Sequence, residues 1–228
     1  MSAYMSICYE DRIELLTDGA VYTPDGVLVE TAEKVRRSSR WPLAITGRGS
    51  SAIVDILASY IETLGEMSAT VNEVISRLQI WLDGRKLKGS PEPFEILIAA
   101  FVDDAGPVNL YFSSERMIDG VEPWVIHTMG TEFGGGPAFS LDELRAAGIS
   151  IESLSAGLEE AGADLMEMMR HRKGGNPAAP HLSEVYGIGG HVDLTVIRLD
   201  GVTTKRLRTW PDVIGEKIDP FREEAAAA

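Results

Sequence analysis

Apolar residues in this chain group into short runs separated by polar turns. An apolar run over residues 3–9 is followed by Glu10-Asp11 and by a second run over residues 12–18, and two such runs joined by a tight turn predict a β-hairpin. The same pattern recurs over residues 192–208 around Asp200-Gly201. Further strands or extended segments are predicted over residues 27–29, 34–37, 43–46, 94–102, 109–113 and 124–128.

Helical periodicity, with apolar residues recurring every three or four positions, marks three other stretches. A first helix is predicted to begin at Ser50 or Ser51, a second at Ser68 or Thr70, and a third helical region covers residues 141–172 with a break near Gly148. Strand runs that alternate with pairs of helices favour sheets covered by helical layers over a parallel βαβ repeat. The sequence therefore predicts an α+β fold, a four-layer αββα sandwich, in one domain over residues 1–222 with a frayed tail over residues 223–228.

The charge of the chain excludes two classes of partner. The net charge is −14, and an acidic surface repels both nucleic acid and anionic membranes. Cys8 is the only cysteine, so no disulfide can form within the chain, which suits a reducing compartment. The N-terminus lacks the charged and apolar regions of a signal peptide, and no apolar run approaches the length of a membrane span. We therefore predict a cytoplasmic protein.

Neither a metal nor an organic cofactor is expected. The histidines lack the spacing of metal ligands to one another or to the cysteine, and they are His127, His171, His181 and His191. Gly134-Gly135-Gly136 does not follow a strand of a βαβ unit, so it is not expected to hold a phosphate. Any catalysis by this chain therefore has to come from its own side chains and backbone.

Ser2 is the first candidate for such chemistry. Methionine aminopeptidases remove Met1 before a small residue, which would leave Ser2 with a hydroxyl and a free α-amine on one residue. An α-amine has a pKa of about 7.7 to 8.0 in peptides, so it can act as a base near neutral pH. One residue would then supply both the nucleophile and the base. Most chains that begin Met-Ser use this serine for nothing, so the interpretation depends on further residues.

Asp18 and Lys34 are those further residues. Asp18 ends the second strand of the first hairpin, so the folded hairpin brings it towards residue 2, and Lys34 lies in the following extended segment. A lysine cation near the α-amine disfavours protonation of the amine and can stabilise the serine alkoxide. Asp18 would keep the lysine charged and oriented. Alternatively, Asp18-Gly19 is an ordinary turn pair and Lys34 is a solvated charge.

These residues resemble the active site of proteasome β-subunits and of the bacterial HslV peptidase. Mature chains of that family begin with a nucleophile, normally threonine, their first hairpin ends in an acidic residue, and a catalytic lysine follows. The three positions fall on Ser2, Asp18 and Lys34, and residues 34–37 (KVRR) match a sequence common in HslV. The family's strand and glycine loop, central hairpin and glycine-pair strand are similar to residues 43–49, 96–114 and 189–197. The chain thus resembles an N-terminal-nucleophile (Ntn) hydrolase over most of its length.

The resemblance also suggests roles for other residues. Backbone N–H groups of Gly47 or Gly49 would bind the oxyanion of a tetrahedral intermediate, although the same glycines can form a plain turn before a helix capped by Ser50. Thr131 is the nearest match to a serine that hydrogen-bonds near the amine. An Asp-x-x-Ser motif that proteasomes carry before the glycine pair is missing, because residues 184–188 read EVYGI.

The resemblance implies an amide hydrolase, in the first place a peptidase, that needs no cofactor. It also implies a homo-oligomeric ring that encloses the active sites, with an ATP-dependent unfoldase as a candidate partner. Two alternatives stay open. The missing motif favours an inactive ring or scaffold subunit, and an open pocket on a monomer or dimer would favour an Ntn amidohydrolase that acts on small amides.

Overall fold

In the computed structural model, which describes residues 3–175 and 181–222, the chain folds into antiparallel sheets and helices. The predicted tail over residues 223–228 lies outside this part. The strands are β1 (Tyr4–Cys8), β2 (Ile13–Asp18), β3 (Ala20–Tyr22), β4 (Leu28–Thr31), β5 (Arg36–Arg37), β6 (Leu43–Gly49), β7 (Phe94–Val102), β8 (Gly106–Ser113), β9 (His127–Thr128), β10 (Glu132–Gly135), β11 (His191–Arg198) and β12 (Gly201–Thr209). The helices are α1 (Ser51–Glu66), α2 (Val71–Lys86), α3 (Leu141–Ala146), α4 (Ile151–Ala156) and α5 (Leu158–Arg170).

The first sheet contains both predicted hairpins. Its five strands lie in the order β10-β1-β2-β11-β12, and all neighbours are antiparallel. Asp18, the last residue of β2, donates its N–H to the carbonyl of Ala3 just before β1 at 3.3 Å. Alternation along β2 directs Leu16 towards α5 and Leu15 towards the second sheet, so both faces of this strand are buried.

The second sheet has five strands in the order β5-β6-β7-β8-β9. Its central strand, β7, is an unbroken apolar run because it too is buried on both faces. Ile96 and Ile98 pack with residues of α1 and α2, whereas Leu97 and Ala99 pack with residues of the first sheet. A shared core, to which Tyr4 of β1 contributes, therefore joins the two sheets.

The helices cover the sheets away from this shared core. Helices α1 and α2 pack on β6 and β7, and α5 packs on β2, β11 and β12. Thr70 caps α2, as one of the two predicted starts, and its hydroxyl accepts the N–H of Glu73 at 3.1 Å. Ser140 and Glu143 form a capping box at the start of α3. Over the two described ranges of the chain, no helix combines the length and the apolar character that crossing a bilayer requires.

Several local predictions differ from the structure. The strand predicted over residues 124–128 shrinks to β9, because Trp124 has a φ of 65°, which a strand does not accommodate. The third helical region breaks at Gly157, with a φ of 143°, as well as near Gly148. Residues 47–49, predicted as a loop, extend strand β6. Strand β10 has no counterpart among the predicted strands, because glycines weaken the strand signal, and it forms by pairing with β1.

Candidate functional site

The carboxylate of Asp18 is the centre of the candidate site. It is fully buried at the end of β2, and it accepts backbone N–H groups from Ala3 at 2.9 Å, Ala20 at 3.0 Å and Gly189 at 3.4 Å. Lys34 adds an ammonium donor at 2.8 Å. All of these partners are donors, which suits an ionised carboxylate. Closure of the β1–β2 hairpin and pairing of β2 with β11 bring the three backbone segments together.

Lys34 forms the second half of a buried ion pair. Its Nζ lies 2.8 Å from Asp18 Oδ1, the same oxygen that accepts the Ala3 N–H, and its side chain is only 12% exposed. Burial lowers the pKa of Lys34, and the attraction of the Asp18 charge opposes this shift without cancelling it. The predicted contact between Asp18 and Lys34 is thus confirmed, and the lysine is held where its proton is easier to lose than that of a solvated lysine.

Ser2, the predicted nucleophile, lies outside the described residues. The peptide bond joins it to the nitrogen of Ala3, which is 1% exposed and donates to Asp18. The ion pair of Asp18 and Lys34 is therefore bound to the backbone one residue from the predicted nucleophile.

A cleft of about 860 Å³ opens beside Lys34. Gly47, Arg48 and Gly49 line it, together with the apolar side chains of Ala20, Val35, Ile45 and Val54. Strand β5 pairs with β6 only at Ala44 and Ile45, so in the described part of the chain the next residues of β6 have no strand partner on that side. The edge of β6 over residues 47–49 thus faces the cleft without a paired strand from the described residues.

Close strand packing accounts for the two glycines of this wall. A Cβ on Gly47 would lie 2.4 Å from the carbonyl oxygen of Glu95, and a Cβ on Gly49 would lie 2.3 Å from that of Pro93. Gly49 also has a φ of 112°. Both residues must be glycine for β6 to approach β7 here, whatever else their N–H groups do. Either N–H stays a candidate for binding an oxyanion.

Thr131 is not brought to this cluster. It is exposed, and its carbonyl accepts the N–H of Cys8 at 2.8 Å, at the far end of β1 from Ala3. At about 3.3 Å per residue, the length of β1 separates Thr131 from the start of the strand by roughly 17 Å. Beside that start lies Gly136, where a Cβ would be 3.2 Å from the Cβ of Ala3. No side-chain hydroxyl is supplied from this position.

His191 is a neighbour of the site that the sequence did not reveal. Its buried ring lies on Gly19, where a Cβ would be 2.2 Å from the ring, and the Gly19 N–H donates to the His191 carbonyl at 2.9 Å. Burial lowers the pKa of His191, although Asp193 favours the charged form. The Nε2 atom is 3.1 Å from Asp193 Oδ2 but lacks the geometry of a hydrogen bond.

A metal centre finds no support in the described residues. Among them, no group of three or more histidine, cysteine, aspartate or glutamate side chains lies close enough together to hold a metal ion.

In comparisons with known proteins, no protein-family model and no curated protein matches the chain.

Proposed function

We propose that this chain is an N-terminal-nucleophile amide hydrolase on an αββα sandwich, in which removal of Met1 exposes Ser2. One observation carries the proposal. The buried Asp18 carboxylate holds both the Lys34 ammonium, at 2.8 Å, and the N–H of Ala3, the residue that follows Ser2, at 2.9 Å. An ion pair with no other assigned role thus lies where an N-terminal nucleophile needs a charged neighbour.

The proposed reaction starts with attack of the Ser2 hydroxyl oxygen on an amide carbonyl carbon. The α-amine of Ser2 accepts the hydroxyl proton, and it is ready to do so because the Lys34 cation lowers the pKa of the amine. Asp18 keeps Lys34 in place through the 2.8 Å contact. A backbone N–H of Gly47 or Gly49 donates to the oxyanion.

The second half of the reaction returns the enzyme to its starting state. The protonated α-amine gives its proton to the leaving nitrogen, and the C–N bond breaks to leave an ester on Ser2. Water then attacks the ester with the same amine as base, releasing the acid and restoring the hydroxyl. Thr131 is absent from this scheme because the structure places it at the other end of β1.

The resemblance of residues 34–37 and 43–49 to HslV supports a peptide substrate, and with it a cytoplasmic homo-oligomeric ring that an ATP-dependent unfoldase supplies. The unpaired side of β6 beside the cleft also suits an extended peptide, which can add to a free strand edge. Sedimentation velocity tests the ring, and a chain that stays monomeric would instead favour hydrolysis of small amides.

One observation favours an inactive scaffold subunit as a second candidate. Thr131, the predicted source of a hydroxyl near the amine, lies at the far end of β1 from Ala3. A scaffold role requires no free α-amine, so the two candidates differ in whether Met1 is removed.

The test is the intact mass of the untagged protein before and after treatment with a β-lactone. We expect loss of Met1 and one covalent adduct per chain, with no adduct in Ser2→Ala and a restored adduct in Ser2→Thr. Retained Met1 without an adduct, or an unchanged adduct in Ser2→Ala, would contradict the hydrolase proposal.

A further inference from the structure

Arg48 stands between the two glycines of the cleft wall, and its side chain lies buried between the sheets. It forms an ion pair with Glu95, its cross-strand partner on β7, and the two side chains are 16% and 2% exposed. A charge pair at this depth is stable only with well-formed hydrogen bonds on both partners. Arg48 therefore ties the wall of the cleft to the interior through its ion pair with Glu95.

Two tyrosines complete the hydrogen bonds of Glu95. The Tyr4 hydroxyl donates to Oε1 at 3.2 Å, and the Tyr111 hydroxyl donates to Oε2 at 3.1 Å. Both rings are almost completely buried, and burial, with the Glu95 charge, raises the pKa of both hydroxyls. Both tyrosines therefore stay protonated and act as donors.

The two tyrosines reach Glu95 from different sheets. Tyr111 lies on β8 of the same sheet as Glu95, whereas Tyr4 lies on β1, two residues after Ser2. Of these two hydroxyls, only that of Tyr4 joins the strand of the proposed nucleophile to the partner of Arg48 on the cleft wall. Ser6 of the same strand donates to Asn109 of β8 at 2.7 Å, away from the wall residues 47–49.

The guanidinium of Arg48 also touches the first sheet. It lies 5.7 Å above the centre of the Tyr4 ring, and a Cβ on Gly135 would lie 2.8 Å from its Cζ. Gly135 is thus needed for the guanidinium to lie against β10. Arg48 is wedged between β6 and the strands β1 and β10.

We propose that Arg48 and Glu95 are positioning residues. Through the hydrogen bond of Tyr4 to Glu95, they fix the position of β1 relative to residues 47–49 of β6. This inference rests on the proposed function, because it assigns the network the task of holding the nucleophile at a fixed distance from the oxyanion-binding backbone. A buried hydrogen-bonded network specifies the spacing of the two strands more tightly than apolar packing does.

Tyr4→Phe and Tyr111→Phe are the matched variants that test this link. Each removes one buried hydroxyl from the same carboxylate, so a purely structural network predicts equal effects. We expect Tyr4→Phe to lower the acylation rate by a peptide substrate about tenfold, the loss of one hydrogen bond to a charged group, with KM unchanged. Tyr111→Phe leaves the bond to β1 in place and should lower the rate much less, and Arg48→Lys, which loses the Nε–H donor to Glu95, should behave like Tyr4→Phe.

Hydrogen exchange at residues 46–49 gives a readout that does not need activity. Faster exchange in Tyr4→Phe than in Tyr111→Phe is expected, because only the former releases β6 from β1. Equal exchange in the two variants, or equal acylation rates at equal melting temperatures, would overturn the positioning role. If the wild-type protein forms no adduct at Ser2, the proposed hydrolase function fails, and the exchange comparison alone decides whether the network couples the two strands.

Discussion

Two buried ion pairs contact the glycine pair Gly189-Gly190, and they differ in whether they border the cleft. Asp18 accepts the Gly189 N–H at 3.4 Å and pairs with Lys34, which lines the cleft. Asp212 accepts the Gly190 N–H at 2.7 Å and pairs with Arg170 through two contacts of 2.8 Å.

The pair of Asp212 and Arg170 is surrounded by protein groups. Arg170 also donates to the carbonyl of Ile188 at 2.9 Å, and its guanidinium lies 4.8 Å from the ring centre of Trp210. Both charged side chains are 4% exposed, and a guanidinium keeps its charge at any physiological pH. This pair can hold the chain segments together, but neither partner lines the cleft.

The first pair combines a fixed carboxylate with a titratable amine. Backbone donors hold Asp18, and burial lowers the pKa of Lys34. Burial alone therefore does not identify a functional pair. The distinguishing feature is the position of Lys34 on a cleft, where its charge can act on the neighbouring α-amine.

The largest effect on stability is expected from Asp212→Ala. It leaves the buried Arg170 without its counter-charge and the Gly190 N–H without its acceptor, which should cost about 3–5 kcal/mol of unfolding free energy. Urea denaturation measures the loss. Glu122→Ala is the control, because it breaks an exposed pair with Lys86 and should change little. A similar loss in both variants would show that the Arg170 pair is not a structural anchor.

Lys34→Met should affect activity much more than folding. Asp18 keeps its backbone donors, so the variant should fold, whereas hydrolysis should fall about 100-fold, as for loss of a group that assists proton transfer. The acid limb of the kcat/KM profile should also move to higher pH, because the amine loses its cationic neighbour and its pKa rises. Lys86→Met, at an exposed lysine, is the matched control. An unshifted limb would contradict the proposed role of the Lys34 charge.

The elements that could be predicted from the sequence are those whose pattern is local. The hairpin of β1 and β2 and the long strand β7 match the predicted runs closely, because apolar runs closed by turns determine them. Strand β10 could not be predicted, since residues 132–135 include Gly134 and Gly135 and become a strand only by pairing with β1. Edge strands of this kind depend on a distant partner.

In the candidate site, too, contacts between residues near in sequence could be predicted, and contacts between distant residues could not. Asp18 and Lys34 could be predicted together because hairpin closure positions Asp18 and only a short segment separates it from Lys34. The contact of His191 with Gly19, and that of Tyr4 with Glu95, cross most of the chain or both sheets, and no local pattern encodes such contacts. Short motifs alone suggest Thr131, whereas the pairing of β10 with β1 determines where it lies.

His191, which lies close to the pair of Asp18 and Lys34, should make the free energy of unfolding depend on pH. The folded state lowers its pKa below the ordinary 6.5, so between the two values the unfolded chain binds more protons and stability rises with pH. The slope contributed by one histidine is at most about 1.4 kcal/mol per pH unit. The charges that act on the ring are Asp193, Arg206, Asp18 and Lys34.

His191→Gln should remove this dependence. The difference in unfolding free energy between wild type and variant, measured by urea denaturation, should therefore rise from pH 5 to pH 6.5 and level off above it. His181→Gln, at an exposed position, should leave the profile unchanged. A flat difference for His191→Gln would indicate that the ring is not buried in its neutral form.

The smallest effect is expected at Thr131, which is distant from both ion pairs. Its contribution to the fold is its backbone carbonyl, which accepts the Cys8 N–H at 2.8 Å and the amide of Asn109 at 3.3 Å. Thr131→Val keeps this carbonyl and the side-chain shape while removing the exposed hydroxyl, so both unfolding free energy and kcat/KM should stay at wild-type values. Steady-state hydrolysis at several pH values checks this. A loss of kcat comparable to that of Lys34→Met would mean that Thr131 acts near the amine after all, at odds with its position at the far end of β1.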